Sequence, residues 1–118
     1  MASPDVTIFH NPSCGTSRNT LALLRDKGVE PTVVEYVKAG WTREQLEGLF
    51  KRMGVSAREA LRVRGTRADE LGLTDPSTSD EAIIAAMVVD PILVNRPIVS
   101  TPKGAALCRP AELVLGLL

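Results

Sequence analysis

Two runs of β-branched and apolar residues, VTIFH at 6–10 and TVVEYV at 32–37, are separated by about one helix's length of chain. No other feature narrows the fold as much. Each run suits a strand, and Asn11-Pro12 breaks the first. From about Ser17 to Lys27, Leu21 and Leu24 with Ala22 and Leu23 predict a helix. Arg25 and Lys27 sit in its last turn and Gly28 is its stop. A strand, a helix and a second strand of these lengths form a crossover unit, whose two strands are expected to pair in parallel.

The middle of the chain reads as helical. Thr42 opens TREQ, a capping box, ahead of Leu46, Leu49, Phe50 and Met53 at helical spacing and a stop at Gly54. SARE from Ser56 offers a second box and predicts a short helix carrying Leu61 and Arg62. Residues 63–77 hold Gly65, Gly72 and Pro76, so they read as loop with at most one helical turn. TSDE from Thr78 is expected to cap a helix through Ile83, Ile84 and Met87, stopped by Asp90-Pro91. Strands follow near Ile98 to Ser100 and Ala105 to Cys108 around a PKG turn, and Pro110 suits the first position of a last helix to Leu117. The order is βαβ, a helical block, then ββα. It predicts an α/β chain with a thioredoxin-like mixed sheet and a helical insertion. At 118 residues, with nothing marking a boundary, one domain over 1–118 is expected.

Bulk properties remove several classes of function. The 14 basic and 14 acidic residues cancel, which argues against a nucleic-acid footprint. Apolar runs fall far short of about 18 residues, so no membrane span is expected, and MASPDVTIFH lacks the basic-then-apolar pattern of an export signal. Two cysteines are too few for a disulfide framework. A reducing cytoplasm, with both as thiols, is the expectation, and nothing in the sequence demands more than a monomer. Only four aromatic residues, Phe9, Tyr36, Trp41 and Phe50, leave the core mainly to Leu, Val, Ile and Ala.

The stretch HNPSCGTSRNT, residues 10–20, places Cys14 in a Gly-containing loop between the first strand and its helix. A free cysteine has a pKa of about 8.5 and is only about 3% thiolate at pH 7, whereas a pKa of about 6.5 gives roughly 75%. Sources for such a shift lie close by in sequence. Unpaired N–H groups at a helix start favour an anion, Thr16 and Ser17 carry hydroxyl donors, Arg18 adds charge, and His10 ends the strand. The competing reading makes Cys14 a small packed residue, Ser17 a helix cap and His10 a packed strand end. Spacing excludes some chemistries. Cys14 to Arg18 is C-x3-R, not the C-x5-R of cysteine phosphatases, and Ser17 replaces the second thiol of a C-x-x-C oxidoreductase. No Cys/His cluster suits a metal. A nucleophilic Cys14 therefore needs either Cys108, brought close by folding, or an external thiol such as glutathione.

Two arginines stand in uncomfortable places. Arg96 interrupts the apolar ILVNRPIV, where a guanidinium is costly without an anion. Arg109 precedes Pro110 at a helix start, the wrong end of the dipole for a cation. One explanation is a structural ion pair with Asp90, Glu112 or another carboxylate. The other is a grip on a tetrahedral oxyanion, to which arginine is suited, with Cys14 attacking its central atom. Arg25, Arg43, Arg52, Arg58, Arg64 and Arg67 read as solvated charges.

These stretches resemble the glutaredoxin-coupled arsenate reductases, thioredoxin-fold proteins with a helical insertion. HNPSCGTSRNT resembles their active-site loop, LVNRPIV their second signature and LCRP their third, while REALR, ending at Arg62, fits less distinctively. The likeness runs in order from about residue 6 to 115, and the chain ends at Leu118, sooner than in some members of that family. The resemblance implies that Cys14 is the nucleophile, that His10 and Ser17 favour its thiolate, and that Arg62, Arg96 and Arg109 bind arsenate beside the Gly15 and Thr16 loop. It implies no bound cofactor or metal. Glutathione is the implied co-substrate, glutaredoxin the partner and arsenite the product. It also implies a cis bond at Arg96-Pro97. It gives Cys108 no role, which leaves that residue read as buried and inert. Relatives of another kind are thiol-sensing regulators, which need the dithiol that Ser17 removes, and glutathione-dependent reductases of other substrates, which share the Cys14 chemistry.

Overall fold

The computed structural model describes residues 2–118, with side chains from residue 5 onward. The chain gathers into two compact units, Met1–Ala39 with Arg96–Leu118, and Gly40–Asn95.

The first unit is the sheet. Its elements are β1 (Ala2–His10), α1 (Gly15–Asp26), β2 (Glu30–Glu35) and a one-turn α2 (Tyr36–Ala39), all before the chain leaves for the second unit. In the second unit lie α3 (Arg43–Met53) and α4 (Asp80–Val89). After it the first unit resumes with β3 (Ile98–Thr101), β4 (Gly104–Leu107) and a closing 3-10 helix, Ala111–Leu117. The strand order is β2-β1-β3-β4. β1 runs parallel to β2 and antiparallel to β3, and β3 is antiparallel to β4, so the sheet is mixed as expected.

Strand periodicity sets the core and begins to place the site. Val6 and Ile8 share one face of β1, and Ile8 lies opposite Val99 of β3. With Leu24 of α1, Cys108 and Val114 they form a buried cluster, against which Ala106 and Leu117 pack. Full burial of an aliphatic side chain contributes about 1.5–3 kcal/mol, so this layer fixes α1 against the sheet. His10 is next in the same row as Val6 and Ile8, and the alternation turns it toward α1.

Several boundaries in this unit differ from expectation, β1 and β2 beginning earlier, at Ala2 and Glu30, and β4 running one residue ahead, from Gly104 to Leu107. Tyr36 and Val37, read as the end of a strand, belong to α2 instead. The last pair between β1 and β2 is His10 with Glu35. Beyond it the chain of β1 turns away, so the next backbone groups have no ladder to join and bond helically instead. α1 starts at Gly15, two residues before the expected Ser17, with Cys14 as its N-cap. The closing helix is 3-10 rather than α, with Pro110 as N-cap and Leu113 N–H donating to the Pro110 carbonyl. Its seven residues include Gly116, and so short a segment gains little from α geometry.

In the second unit α3 carries the predicted capping box. Gln45 N–H donates to Thr42 Oγ1 at 3.1 Å and Thr42 N–H to Gln45 Oε1 at 3.4 Å. Gly54 closes the helix at a φ of 68°, where glycine carries no Cβ penalty. Leu46, Phe50, Ile83, Met87 and Leu93 are buried, and α3 packs on α4. The cap of α4 is Ser79, which accepts from Ala82 N–H at 3.2 Å, rather than Thr78. The Thr78 hydroxyl donates instead to the Gly72 carbonyl at 2.7 Å.

The helix expected from Ser56 is absent, although its capping box forms in both directions, Ser56 N–H to Glu59 Oε1 at 3.1 Å and Glu59 N–H to Ser56 Oγ at 3.2 Å. After one turn Leu61 bridges to Val94, Arg62 N–H donates to the Leu93 carbonyl at 2.8 Å, and Asn95 N–H donates to the Ala60 carbonyl at 2.8 Å. Those remote partners replace the helical ones. Arg58 is not a solvated charge either. Its guanidinium donates to the carbonyls of Leu73, Asp75 and Thr78, the last at 2.6 Å, and so ties down the polar 63–78 loop.

Candidate active site

The loop after β1 is held by a short set of hydrogen bonds. Cys14 N–H donates to the Asn11 carbonyl at 3.0 Å, and the Cys14 carbonyl accepts Arg18 N–H at 3.0 Å, the first bond of α1. Ser13 N–H donates to Asn11 Oδ1 at 3.0 Å. Arg18 Nη1 donates to the Pro12 carbonyl at 2.9 Å, which pins the outer side of the loop. Gly15, Thr16 and Ser17 are the first three residues of α1, and the Thr16 carbonyl accepts the Thr20 hydroxyl at 2.8 Å.

Ser17 is fully buried and carries two connections. Its Oγ accepts Asn11 N–H at 3.0 Å and lies 2.7 Å from His10 Nδ1. The arrangement suits a Ser17 O–H donating to a neutral ring. Burial holds the His10 pKa below its ordinary value, opposed by Glu35 beside it and assisted by Arg25 and Arg18. His10 thus acts on the loop through the Ser17 hydroxyl.

Cys14 is buried at the head of α1, with φ −99° and ψ 123°, and makes no side-chain cap bond. Burial alone would raise its thiol pKa. Against burial act the Ser17 backbone N–H, a hydrogen bond from Arg109, and the charge and hydrogen bonding of Arg96, and together they hold it below the ordinary value. Arg109 Nη1 stands 3.6 Å from Cys14 Sγ and also donates to the Arg96 carbonyl at 3.1 Å. That second bond braces the cation in place. Neither partner is a carboxylate, so Arg109 is not held by the structural ion pair considered from the sequence. Arg96 and Arg109 each precede a cis proline.

Cys108 differs in every respect. It lies wholly inside the sheet's core cluster, its Sγ faces the Ala106 carbonyl at 3.7 Å, and burial pushes its pKa up to about 12. Both cysteines are free.

Arg62 lies in the second unit, half-buried, with Nε donating to the Arg64 carbonyl at 3.0 Å. Gly65, at a φ of 77°, leaves room for its guanidinium, since a Cβ there would come within 3.2 Å of Arg62 Nη2. Of the residues singled out from sequence, His10, Cys14, Gly15, Thr16, Ser17, Arg96 and Arg109 thus fall in the sheet unit, and Arg62 in the other.

Sequence reasoning missed Asn11, whose peptide groups and side chain organise the loop. The available signal was an Asn-Pro pair one residue short of the cysteine, read only as a strand breaker. Among the described residues no cluster of His, Cys, Asp or Glu could hold a metal ion. Two guanidinium groups and a helix N-terminus around one sulfur instead favour an anion.

A mixed α/β sheet with a cysteine heading its first helix defines a thioredoxin-like protein with a thiol-centred anion site. The model of the ArsC family matches residues 9–117, and the chain belongs to that family. It is 56% identical over 113 residues to an arsenate reductase of Rhizobium meliloti, covering 96% of this chain and 81% of the relative. It is 48% identical to an arsenate reductase of Escherichia coli K12, over 97% of this chain and 81% of that one. Its backbone superposes on an arsenate reductase structure from Vibrio cholerae with a TM-score of 0.92 at 39% identity, covering 100% of this chain and 98% of that one.

Proposed function

We propose that this arsenate reductase works through a covalent adduct on Cys14. The approach of Arg109 Nη1 to Cys14 Sγ, 3.6 Å at the head of α1, carries the reading, because one cation there serves both thiolate and oxyanion. The Cys14 thiolate attacks As(V), forming an S–As bond as one As–O bond breaks and its oxygen leaves, protonated, as water. Arg96 and Arg109 hold the remaining oxygens and offset their charge. His10 and Ser17 keep the loop in register, and the α1 head, with Gly15 and Thr16, faces the anion. Arg62 enters the reading through the family resemblance alone.

Arsenic is still pentavalent at that stage, so two electrons must come from thiols. Glutathione condenses with the adduct, displacing a second water and forming an As–S bond. A glutaredoxin thiolate then attacks the glutathione sulfur. The As–S electron pair returns to arsenic, giving As(III), and the two sulfurs leave as a mixed disulfide. Water cleaves the Cys14–As bond and releases arsenite with the free thiol. Glutathione and glutaredoxin are chosen because Cys14 lacks a C-x-x-C partner and Cys108 is held inert by burial. That thiol supply places the protein in a reducing cytoplasm. Among the described residues no helix is long and apolar enough to cross a membrane.

The test is NADPH consumption on adding arsenate to the protein with glutathione, glutathione reductase and a glutaredoxin. Consumption should require glutaredoxin and should fall about a thousandfold or more in Cys14→Ser. Retained turnover in that variant would overturn the mechanism. Turnover without glutaredoxin would overturn the coupling alone.

A further inference from the structure

We infer that Asn11 is a positioning residue for Cys14, tying the end of β1 to the nucleophile and to Ser17 through a neutral amide that puts no charge beside the thiolate.

Asn11 is buried and uses three groups in three directions. Its N–H donates to Ser17 Oγ at 3.0 Å, its carbonyl accepts Cys14 N–H at 3.0 Å, and its side-chain Oδ1 accepts Ser13 N–H at 3.0 Å. Any residue supplies the two backbone groups. Only a short side chain with an acceptor closes the third bond, which curls residues 11–13 so that the other two can form. The consequence reaches the sulfur. Ser17 N–H favours the thiolate, and Ser17 is held against the strand end by Asn11 and His10. Loosening Asn11 lets Cys14 and Ser17 drift apart, and the thiolate loses the nearby N–H that offsets its burial.

Aspartate closes the same turn equally well, so local geometry alone does not account for asparagine. Charge does. The groups around Cys14 in the sheet unit are the Arg96 and Arg109 cations, with Arg18 on α1 and a neutral His10 on β1. A carboxylate at residue 11 would oppose those cations and repel both the thiolate and an incoming oxyanion.

This inference rests on Cys14 being the attacking thiol. The experiment measures the pH profile of iodoacetamide alkylation at Cys14 on the full chain, beside thermal melting and arsenate kcat and KM. Asn11→Asp should melt like the parent yet shift the profile upward, with alkylation at pH 7 slowed about tenfold. Asn11→Ala should slow it about fivefold and lower kcat, and Asn11→Ser, a neutral acceptor, should recover part of the loss. Parental profiles in Asn11→Asp and Asn11→Ala would reduce Asn11 to a packed loop residue. Should Asn11→Ala fail to fold, the Asn11→Asp profile decides by itself. Because alkylation needs no arsenate, the profile judges Asn11 whether or not the chain turns arsenate over.

Discussion

Helices α1 and α3 put the same backbone N–H to different use. In α3 the N–H of the third helical residue, Gln45, goes to the Thr42 hydroxyl, and Gln45 returns the bond. In α1 the equivalent residue is Ser17, and its N–H favours the Cys14 thiolate instead. The first turns differ in charge as well. α3 carries Glu44 and α4 carries Asp80 and Glu81, whereas α1 has no acid there. Acids at those positions stabilise a helix by about 0.3–1 kcal/mol each, and a side-chain cap by about 1 kcal/mol. α1 forgoes both contributions and keeps its positive end for an anion. Its hold on the fold comes from Leu24 in the core cluster. A start built for stability and a start built for chemistry thus differ at the level of single residues.

The sharpest way to break this contrast is to remove the cation that supplements α1. Arg109→Ala should slow Cys14 alkylation at pH 7 and weaken arsenate binding, each by about tenfold. That is the low end for a charge-assisted hydrogen bond, because Arg109 is exposed and its field is screened. The sign follows from the lowered Cys14 pKa: the thiolate is present above that pKa and reactivity is lost as pH falls through it. Loss of Arg109 moves that fall to higher pH. Cys108, in the same unit, should stay unlabelled until pH nears about 12 or the fold opens. An unchanged alkylation profile in Arg109→Ala would mean that α1 alone sets the thiol.

A second variant gives α1 what the other helices have. Thr16→Glu puts an acid in its first turn, as Glu44 does in α3. The melting temperature should hold or rise slightly, while alkylation at pH 7 slows about fivefold. If both stability and reactivity improved together, the division between the two kinds of helix start would be wrong.

The sequence made the crossover unit, the α3 capping box and the Asp90-Pro91 stop legible because each depends on residues within a few positions. Residues that answer to distant partners were hidden. The Ser56 box was read correctly and still made no helix, because Leu93 and Val94, more than thirty residues on, take over the backbone at Leu61 and Arg62. Tyr36 has strand propensity, but the pairing ends with His10 one position earlier. Arg58 looked solvated because the carbonyls it binds lie 15 to 20 residues away. In the site, Arg96 and Arg109 stood out because each broke a local rule, and Cys14 because of the Gly-containing loop that carries it. Asn11 broke none, and so stayed unseen. The convergence of Arg109 on Cys14, 95 residues apart, came only with the fold.

The smallest effect tests the other side of the comparison. Thr42→Ala removes the hydroxyl that accepts Gln45 N–H and frees Gln45 from its reciprocal bond. The cost should be about 1 kcal/mol, or a fall of about 4 °C in melting temperature for a chain of this size. Thr42 caps a helix of the second unit, so the Cys14 alkylation profile should not move. Thermal melting and the alkylation profile measured on one sample separate these effects. A stability loss with an unmoved thiol is what a purely structural cap predicts. A displaced thiol profile would show that the start of α3 feeds into the chemistry, and that capping and catalysis are not divided between the two units.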